Sequence, residues 1–249
     1  MNFRYNYLQR LAKRAYRRCF PVPKSPWTSG YVKDIYEVNL TPPEELEAFF
    51  LNAIKILQKA KGEDIGDYLE FGVFNGSSLS CMYRAAKKQR LLSRMRFFGF
   101  DSFEGLPAEA EKEDDGVWRK GYYACSFEDM ANCLRRSGIS PEDISWVKGW
   151  YSSTLNELTI KEYKLKKLAI VFVDCDTYTA SKQVLDFIAP LINEETILCL
   201  DDWKLNNLDI KGMGEYRAFN EFIETNRHLR ATEIKSYSRK SKSFMVKPF

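Results

Sequence analysis

Five short apolar runs, each closed by a small cluster of polar residues, recur along this chain near 67 to 73, 96 to 101, 144 to 149, 168 to 173 and 195 to 200. Segments whose apolar residues repeat at helical spacing stand near 77 to 89, 127 to 137, 178 to 189 and 214 to 226. Short runs that do not alternate with polar residues suit strands buried on both faces. Strands alternating with helices build a parallel sheet covered on both sides. The expected class is α/β, with a doubly wound, mostly parallel sheet.

Two further segments, Thr232 to Tyr237 and Ser243 to Lys247, flank Ser238-Arg239-Lys240-Ser241-Lys242 in the manner of a hairpin. They add an antiparallel pair to the five runs, which predicts seven strands with the last one antiparallel. Ahead of the sheet, Thr41-Pro42-Pro43-Glu44 reads as an N-cap, a proline at the first helical position and a capping-box glutamate. Leu46, Phe49, Phe50, Ala53, Ile54 and Leu57 supply the buried stripe of the helix that follows.

Charge divides the chain. Residues 1 to 33 hold Arg4, Arg10, Lys13, Arg14, Arg17, Arg18, Lys24 and Lys33 and no acid, so of the net +4 the remainder carries −4. Leu8, Leu11, Ala12, Ala15, Tyr16 and Cys19 recur at helical spacing, which predicts an amphipathic helix with arginines on its outer face. Pro21, Pro23 and Pro26 separate it from the body. The division is a basic helical arm and linker over 1–40 and an α/β domain over 41–249. The arm's apolar stripe suits packing on the body or on a second subunit as a homodimer, with contact to an anionic membrane surface as the alternative. Its basic face lacks interleaved stacking aromatics, which argues against nucleic acid.

At 249 residues and 45% hydrophobic composition, the chain can bury one sizeable core. No apolar run approaches the roughly 18 to 20 residues that span a bilayer, and no secretory signal is present at the amino terminus. The expected location is cytoplasmic. Six cysteines at 19, 81, 125, 133, 175 and 199 show no CxxC spacing, so free, mostly buried thiols are expected.

The polar ends of the runs carry the chemistry. Val171-Phe172-Val173-Asp174-Cys175-Asp176 and Leu198-Cys199-Leu200-Asp201-Asp202 end in carboxylates. Neighbouring parallel strands lie about 4.8 Å apart, so Asp174, Asp201 and Asp202 can share one hard cation such as Mg²⁺. The first run leads into Glu70-Phe71-Gly72-Val73-Phe74-Asn75-Gly76-Ser77-Ser78. Its glycines permit close backbone approach to a ligand, and Ser77 and Ser78 open the next helix, where an anion is favoured. The pattern is not GxGxxG, so the nicotinamide dinucleotide fingerprint is absent. The second run ends at Phe100-Asp101-Ser102-Phe103-Glu104-Gly105-Leu106-Pro107, where an acid can accept ribose hydroxyls.

Taken in order, Leu69 to Ser78, Gly99 to Pro107, Val147-Lys148-Gly149-Trp150-Tyr151 with Thr154-Leu155, Val173 to Tyr178 and Leu200-Asp201-Asp202 resemble the macrocin O-methyltransferase family. The resemblance runs from about residue 40 to 226, and the FDSFEGLP segment is its most specific element. It implies a Rossmann-like class I methyltransferase domain over 41–249, strand order 3-2-1-4-5-7-6, S-adenosylmethionine as methyl donor and Mg²⁺ or a similar cation as helper. Glu70, Gly72 and Gly76 with Ser77 or Ser78 would surround the methionine end of the donor. Asp101, followed by Ser102, would hold the ribose, while Gly149 and Trp150 would border the adenine. Asp174, Asp201 and Asp202 would bind the metal. Catechol-type relatives carry a lysine where this chain has Thr177, which leaves Asp174 as the base, ahead of Asp202 or Asp176. The implied acceptor is a small-molecule hydroxyl, on a sugar or glycosylated compound.

Other readings of the same residues differ in class. Asp174-Cys175-Asp176 also reads as the DxD of a metal-dependent glycosyltransferase, which would leave the Glu70 to Ser78 loop without a role. Read as a phosphatase DxDxT, the same site lacks the intervening motifs, since one helix and one strand separate it from Asp201. A non-catalytic binding module would be expected to have lost the metal carboxylates. Of the less specific features, Glu109 to Asp115 reads as a solvated acidic loop, or as a lid with Tyr122 and Tyr123 at its hinge. Trp203 suits either an acceptor pocket or packing, and His228 a surface or capping position.

Overall fold

The computed structural model describes residues 41–249; the expectations for the basic arm, Cys19 included, lie outside the described residues. Chain order runs α1 (Pro43–Lys61), β1 (Asp67–Phe71), α2 (Ser77–Lys88), β2 (Phe97–Asp101), α3 (Phe127–Arg136), β3 (Ile144–Lys148), α4 (Tyr151–Thr154) and α5 (Glu157–Tyr163). It continues with β4 (Leu168–Val173), α6 (Tyr178–Ile188), β5 (Thr196–Leu200), α7 (Leu208–Lys211), α8 (Gly214–Thr225), β6 (Leu229–Ile234) and β7 (Lys242–Pro248). The seven strands form one sheet in the order β3-β2-β1-β4-β5-β7-β6. The first five run parallel, and β7 lies antiparallel between β5 and β6.

Residues alternate across a strand, so each strand feeds two cores. Tyr68 of β1 joins Phe50, Ile54, Leu57, Leu79, Met82 and Leu134 under α1, α2 and α3. Leu69 and Phe71 face the other way, against Val184, Leu185, Phe187 and Ile188 of α6, in the core that also holds Phe219 and Phe222 of α8. Both faces of the central strands are therefore dry, which explains their unbroken apolar sequence. All five cysteines among the described residues are free and buried. None of the helices described is long and apolar enough to cross a membrane.

Three local expectations are corrected. The first helix has Pro42 rather than Thr41 at its N-cap and no side-chain cap bond, while Pro43 does occupy the first turn. Fixed φ at two successive prolines starts this helix without the capping box. The hairpin's first strand is Leu229–Ile234, with Leu229 paired to Pro248 and Ile234 to Ser243. The expected stretch ending at Tyr237 lies three residues too far along, because Tyr237 has left the sheet to reach Asp201. Finally, the crossover from β3 to β4 contains α4 and α5, which the apolar pattern did not announce.

Candidate active site

β1 and β4 are neighbours whose following helices pack on opposite faces, so a crevice opens at their carboxyl ends. The turn after β1 and the acids after β4 meet there without clearance. Gly72 has φ +85°, and a Cβ on it would fall 1.7 Å from the carbonyl oxygen of Asp174. Only glycine fits. The Asp174 amide donates to the Phe71 carbonyl at 2.9 Å, and the Asp201 amide donates to Val173 at 3.0 Å. Backbone hydrogen bonds thus step the chain from β1 to β4 to β5 and line up the residues that follow each strand.

Carboxylate oxygens of Asp174, Asp201 and Asp202 all lie within 4.8 Å of one another. Burial raises the Asp174 carboxyl well above the usual range, and the charges of Asp201 and Asp202 raise it further. Asp202 is pushed up to about 7, first by burial and then by Asp201. Asp176, at φ +66° just beyond Asp174, is buried and raised by the same two causes, with Asp202 as its main charged neighbour. Burial also raises Asp201, although a 2.6 Å hydrogen bond from the Tyr237 hydroxyl opposes that shift. One oxygen of Asp202, Oδ2, is buried with no hydrogen-bond partner. Hard oxygen donors, like charges in close proximity and an unsatisfied buried oxygen together fit a divalent cation.

On the other side of the crevice, the glycine turn is braced from below. Glu70 is fully buried and accepts hydrogen bonds from Ser78 Oγ at 2.6 Å and from the Tyr68 hydroxyl. Burial pushes its carboxyl up to about 8. Asp101 Oδ2 accepts from the Val73 amide at 2.7 Å and the Phe74 amide at 3.0 Å, and its Oδ1 accepts from Phe103 at 2.7 Å. The Asp101 side chain therefore joins the β1 turn to the β2 turn while facing the same crevice. Gly76 is the N-cap of α2, and Ser77 opens that helix. Ser102 Oγ accepts from the Glu104 amide at 3.1 Å, within its own turn. Gly149, at φ +134°, donates to the Asp101 carbonyl at 3.0 Å, and the Trp150 side chain after it is 36% exposed.

A family model for macrocin O-methyltransferases (TylF) matches residues 51–232. The chain belongs to the macrocin O-methyltransferase family. No curated protein sequence matches it. Among solved structures, the O-methyltransferase NovP superposes with a TM-score of 0.62 at 18% identity, over 81% of this chain and 79% of that one. CalS11, a calicheamicin methyltransferase, gives 0.61 at 16% identity, over 95% and 91% of the two chains. TomG of Streptomyces achromogenes, an O-methyltransferase of tomaymycin synthesis in complex with S-adenosylmethionine, gives 0.54 at 16% identity, over 93% of each chain. These likenesses establish a class I methyltransferase fold, and the family makes this chain an S-adenosylmethionine-dependent O-methyltransferase.

The residues expected from the sequence to hold the donor and the metal lie at or just beyond the carboxyl ends of the methyltransferase's β1 to β5, with Gly72 and Asp174 in contact. Four others take part that sequence reasoning did not assign. Glu215 is fully buried and accepts from the Asp202 amide at 2.9 Å. Tyr237 reaches Asp201, and Lys240 lies close enough for its charge to act on Asp201 and Asp202. Asp114, in the acidic stretch, is buried rather than solvated. It accepts from Trp118 Nε1 at 3.0 Å, the Tyr178 amide at 3.1 Å and the Gly214 amide at 2.9 Å. Ala110 and Trp118 pack with Leu205 and Leu208, so residues 106–123 form a docked cap beside the acids. Trp203 is buried against Tyr216, Phe219 and Phe244, which is the packing role. His228 is exposed.

Proposed function

We propose that the methyltransferase transfers the methyl group of S-adenosylmethionine to a hydroxyl oxygen of a sugar or glycosylated small molecule, with Asp174, Asp201 and Asp202 holding a Mg²⁺-like cation. The contact between Gly72 and Asp174 carries this reading, since the glycine turn proposed for the donor touches the chain at the acid cluster. CalS11 is described as a TDP-rhamnose 3′-O-methyltransferase, which supports a sugar acceptor. The cation, when bound, would lower the pKa of the acceptor hydroxyl and so ease loss of its proton at neutral pH. The sulfonium needs no activation.

Each of the chain's residues has a defined task in that scheme. The glycine turn and Ser77 receive the methionine end, Asp101 offers its remaining acceptor capacity to the ribose, and Gly149 with Trp150 borders the adenine. Asp174 accepts the hydroxyl proton as the oxygen forms its bond to the methyl carbon and the carbon–sulfur bond breaks; the sulfur keeps that electron pair and leaves as the neutral thioether. In-line positioning of oxygen, carbon and sulfur supplies much of the acceleration. The basic, apolar-striped sequence within residues 1–40 suits packing on the body or a homodimer contact, with an anionic membrane surface as the alternative.

Titration calorimetry with S-adenosylhomocysteine, followed by single-turnover methylation of a panel of sugar acceptors across a Mg²⁺ titration, tests the scheme. Asp174→Asn should slow transfer by about 10²- to 10⁴-fold at saturating metal, the usual worth of a general base, with donor binding retained. Asp201→Asn should recover in part as Mg²⁺ rises. Full activity in chelator removes the cation from the mechanism. Binding of a nucleotide sugar in place of S-adenosylhomocysteine would select the glycosyltransferase alternative.

A further inference from the structure

Glu215 is the second residue of α8 and is fully buried, and the charges that act most strongly on it belong to carboxylates rather than to a cation. Glutamate is almost never buried this completely unless it is paired, because an isolated charge loses its hydration. Oε2 accepts from the Asp202 amide at 2.9 Å, whereas Oε1 is buried with no hydrogen-bond partner. The charges acting on it most strongly are those of Asp202, Asp201 and Asp176, all of the same sign. Asp202 Oδ2 is the second unpartnered buried oxygen in the same place. Two acids therefore sit side by side, each with one oxygen satisfied by nothing in the protein.

The position of Glu215 is fixed from outside. The Gly214 amide, immediately before it, donates to Asp114 Oδ1 at 2.9 Å. A Cβ on Gly214 would stand 2.9 Å from Leu208 Cδ1, which leaves α8 little freedom to shift at its start. A single amide hydrogen bond does not require a charge, since a neutral glutamine could accept it equally well. The free oxygen and the like-charged neighbours call for something positive or hydrogen-donating, and a hydrated divalent cation supplies both.

We propose that Glu215 is a positioning residue of the cation site: through Oε2 it fixes the backbone of Asp202, and through Oε1 it accepts a hydrogen bond from the cation's hydration shell. This rests on the cation reading of Asp174, Asp201 and Asp202. It extends that site to a fourth carboxylate standing outside the direct ligands. Such outer partners orient the ligands and contribute about 10- to 100-fold in metal affinity.

The test uses the full chain without methyl donor, with Mn²⁺ as probe, and reads free Mn²⁺ by its electron paramagnetic resonance signal. Glu215→Gln keeps the shape and the acceptor for the Asp202 amide. It should weaken Mn²⁺ binding about 10- to 100-fold, while S-adenosylhomocysteine affinity stays within about twofold. In chelator, Glu215→Gln should melt above the wild type, because the carboxyl whose ionisation is opposed by burial and by the neighbouring acids is gone. Mn²⁺ should then raise the wild-type melting temperature by more than that of the variant. Glu215→Asp, which keeps the charge but shortens the reach, should fall between the two in affinity. Equal Mn²⁺ affinity of wild type and Glu215→Gln, alongside loss of binding in Asp202→Asn, would overturn the role of Glu215 and leave the cation site standing. A wild type that binds S-adenosylhomocysteine but no Mn²⁺ would overturn both.

Discussion

Replacing Gly72 by alanine should damage folding and chemistry together, by amounts the structure allows to be separated. Its φ of +85° disfavours any residue with a Cβ, at a cost of roughly 1–2 kcal/mol. The new Cβ would start 1.7 Å from the Asp174 carbonyl oxygen, so at the closest tolerable approach of 3.0 Å that oxygen must retreat by about 1.3 Å. Overpacking of this kind adds about 1–3 kcal/mol, for a total of about 2–5 kcal/mol. Gly62→Ala is the control. It shares a positive φ of +78° with nothing within 4 Å of the added Cβ, and so isolates the conformational part. Urea unfolding of both variants gives the difference, and single-turnover methylation gives the second signature, since misplacing a reacting group by about 1 Å can reduce the rate about 10²-fold. If Gly72→Ala is no less stable than Gly62→Ala and keeps its rate, the contact between the β1 turn and Asp174 does not organise the site.

The remaining expectations address the two braces. Glu70, raised from 4.5 to about 8 chiefly by burial, holds its proton more tightly folded than unfolded. The stability this gives is complete below about 4.5 and declines as pH climbs through 8. Glu70→Gln should flatten that decline between pH 5 and pH 9 in urea titrations, and parallel wild-type and variant profiles would contradict the assignment. Asp114→Ala leaves Trp118 Nε1 and the amides of Tyr178 and Gly214 without their acceptor, an effect of about 1–3 kcal/mol for each donor left buried. Hydrogen exchange should then accelerate across 106–123 and at the starts of α6 and α8 while S-adenosylhomocysteine still binds. Unchanged protection would show that the cap is held by Trp118 packing alone.

The sheet was legible because its strands are apolar on both faces and their ends are polar, a pattern that only a parallel sheet covered by helices satisfies. The same polar ends marked Glu70, Asp101, Asp174, Asp201 and Asp202, all within two residues of a strand terminus. What escaped were residues whose partners are distant in sequence. Asp114 lies in an acidic stretch that looks solvated, and two of its three donors, the amides of Tyr178 and Gly214, stand 64 and 100 positions away in sequence. Glu215 sits in an ordinary helical first turn, 13 residues beyond the amide that it holds. The α5 helix did carry a local signal, in Asn156, whose side chain accepts from Leu158 and Thr159 as an N-cap. A window tuned to apolar periodicity passes over a helix of seven residues.

The acid cluster itself is not something these side chains would assemble for their own benefit. Asp174, Asp176, Asp201, Asp202 and Glu215 repel one another and are raised by burial. Their convergence is imposed by backbone, through the Asp174 amide on Phe71, the Asp201 amide on Val173 and the Asp202 amide on Glu215. The apolar strands of both cores drive that pairing, so the sheet's own stability forces like charges into one place. Stability lost in this way persists at functional sites because binding compensates for it. Chelation should therefore destabilise the wild type, whereas a variant with fewer of these charges should respond less, and this links the cation proposed for catalysis to the folding of the strand ends that present it.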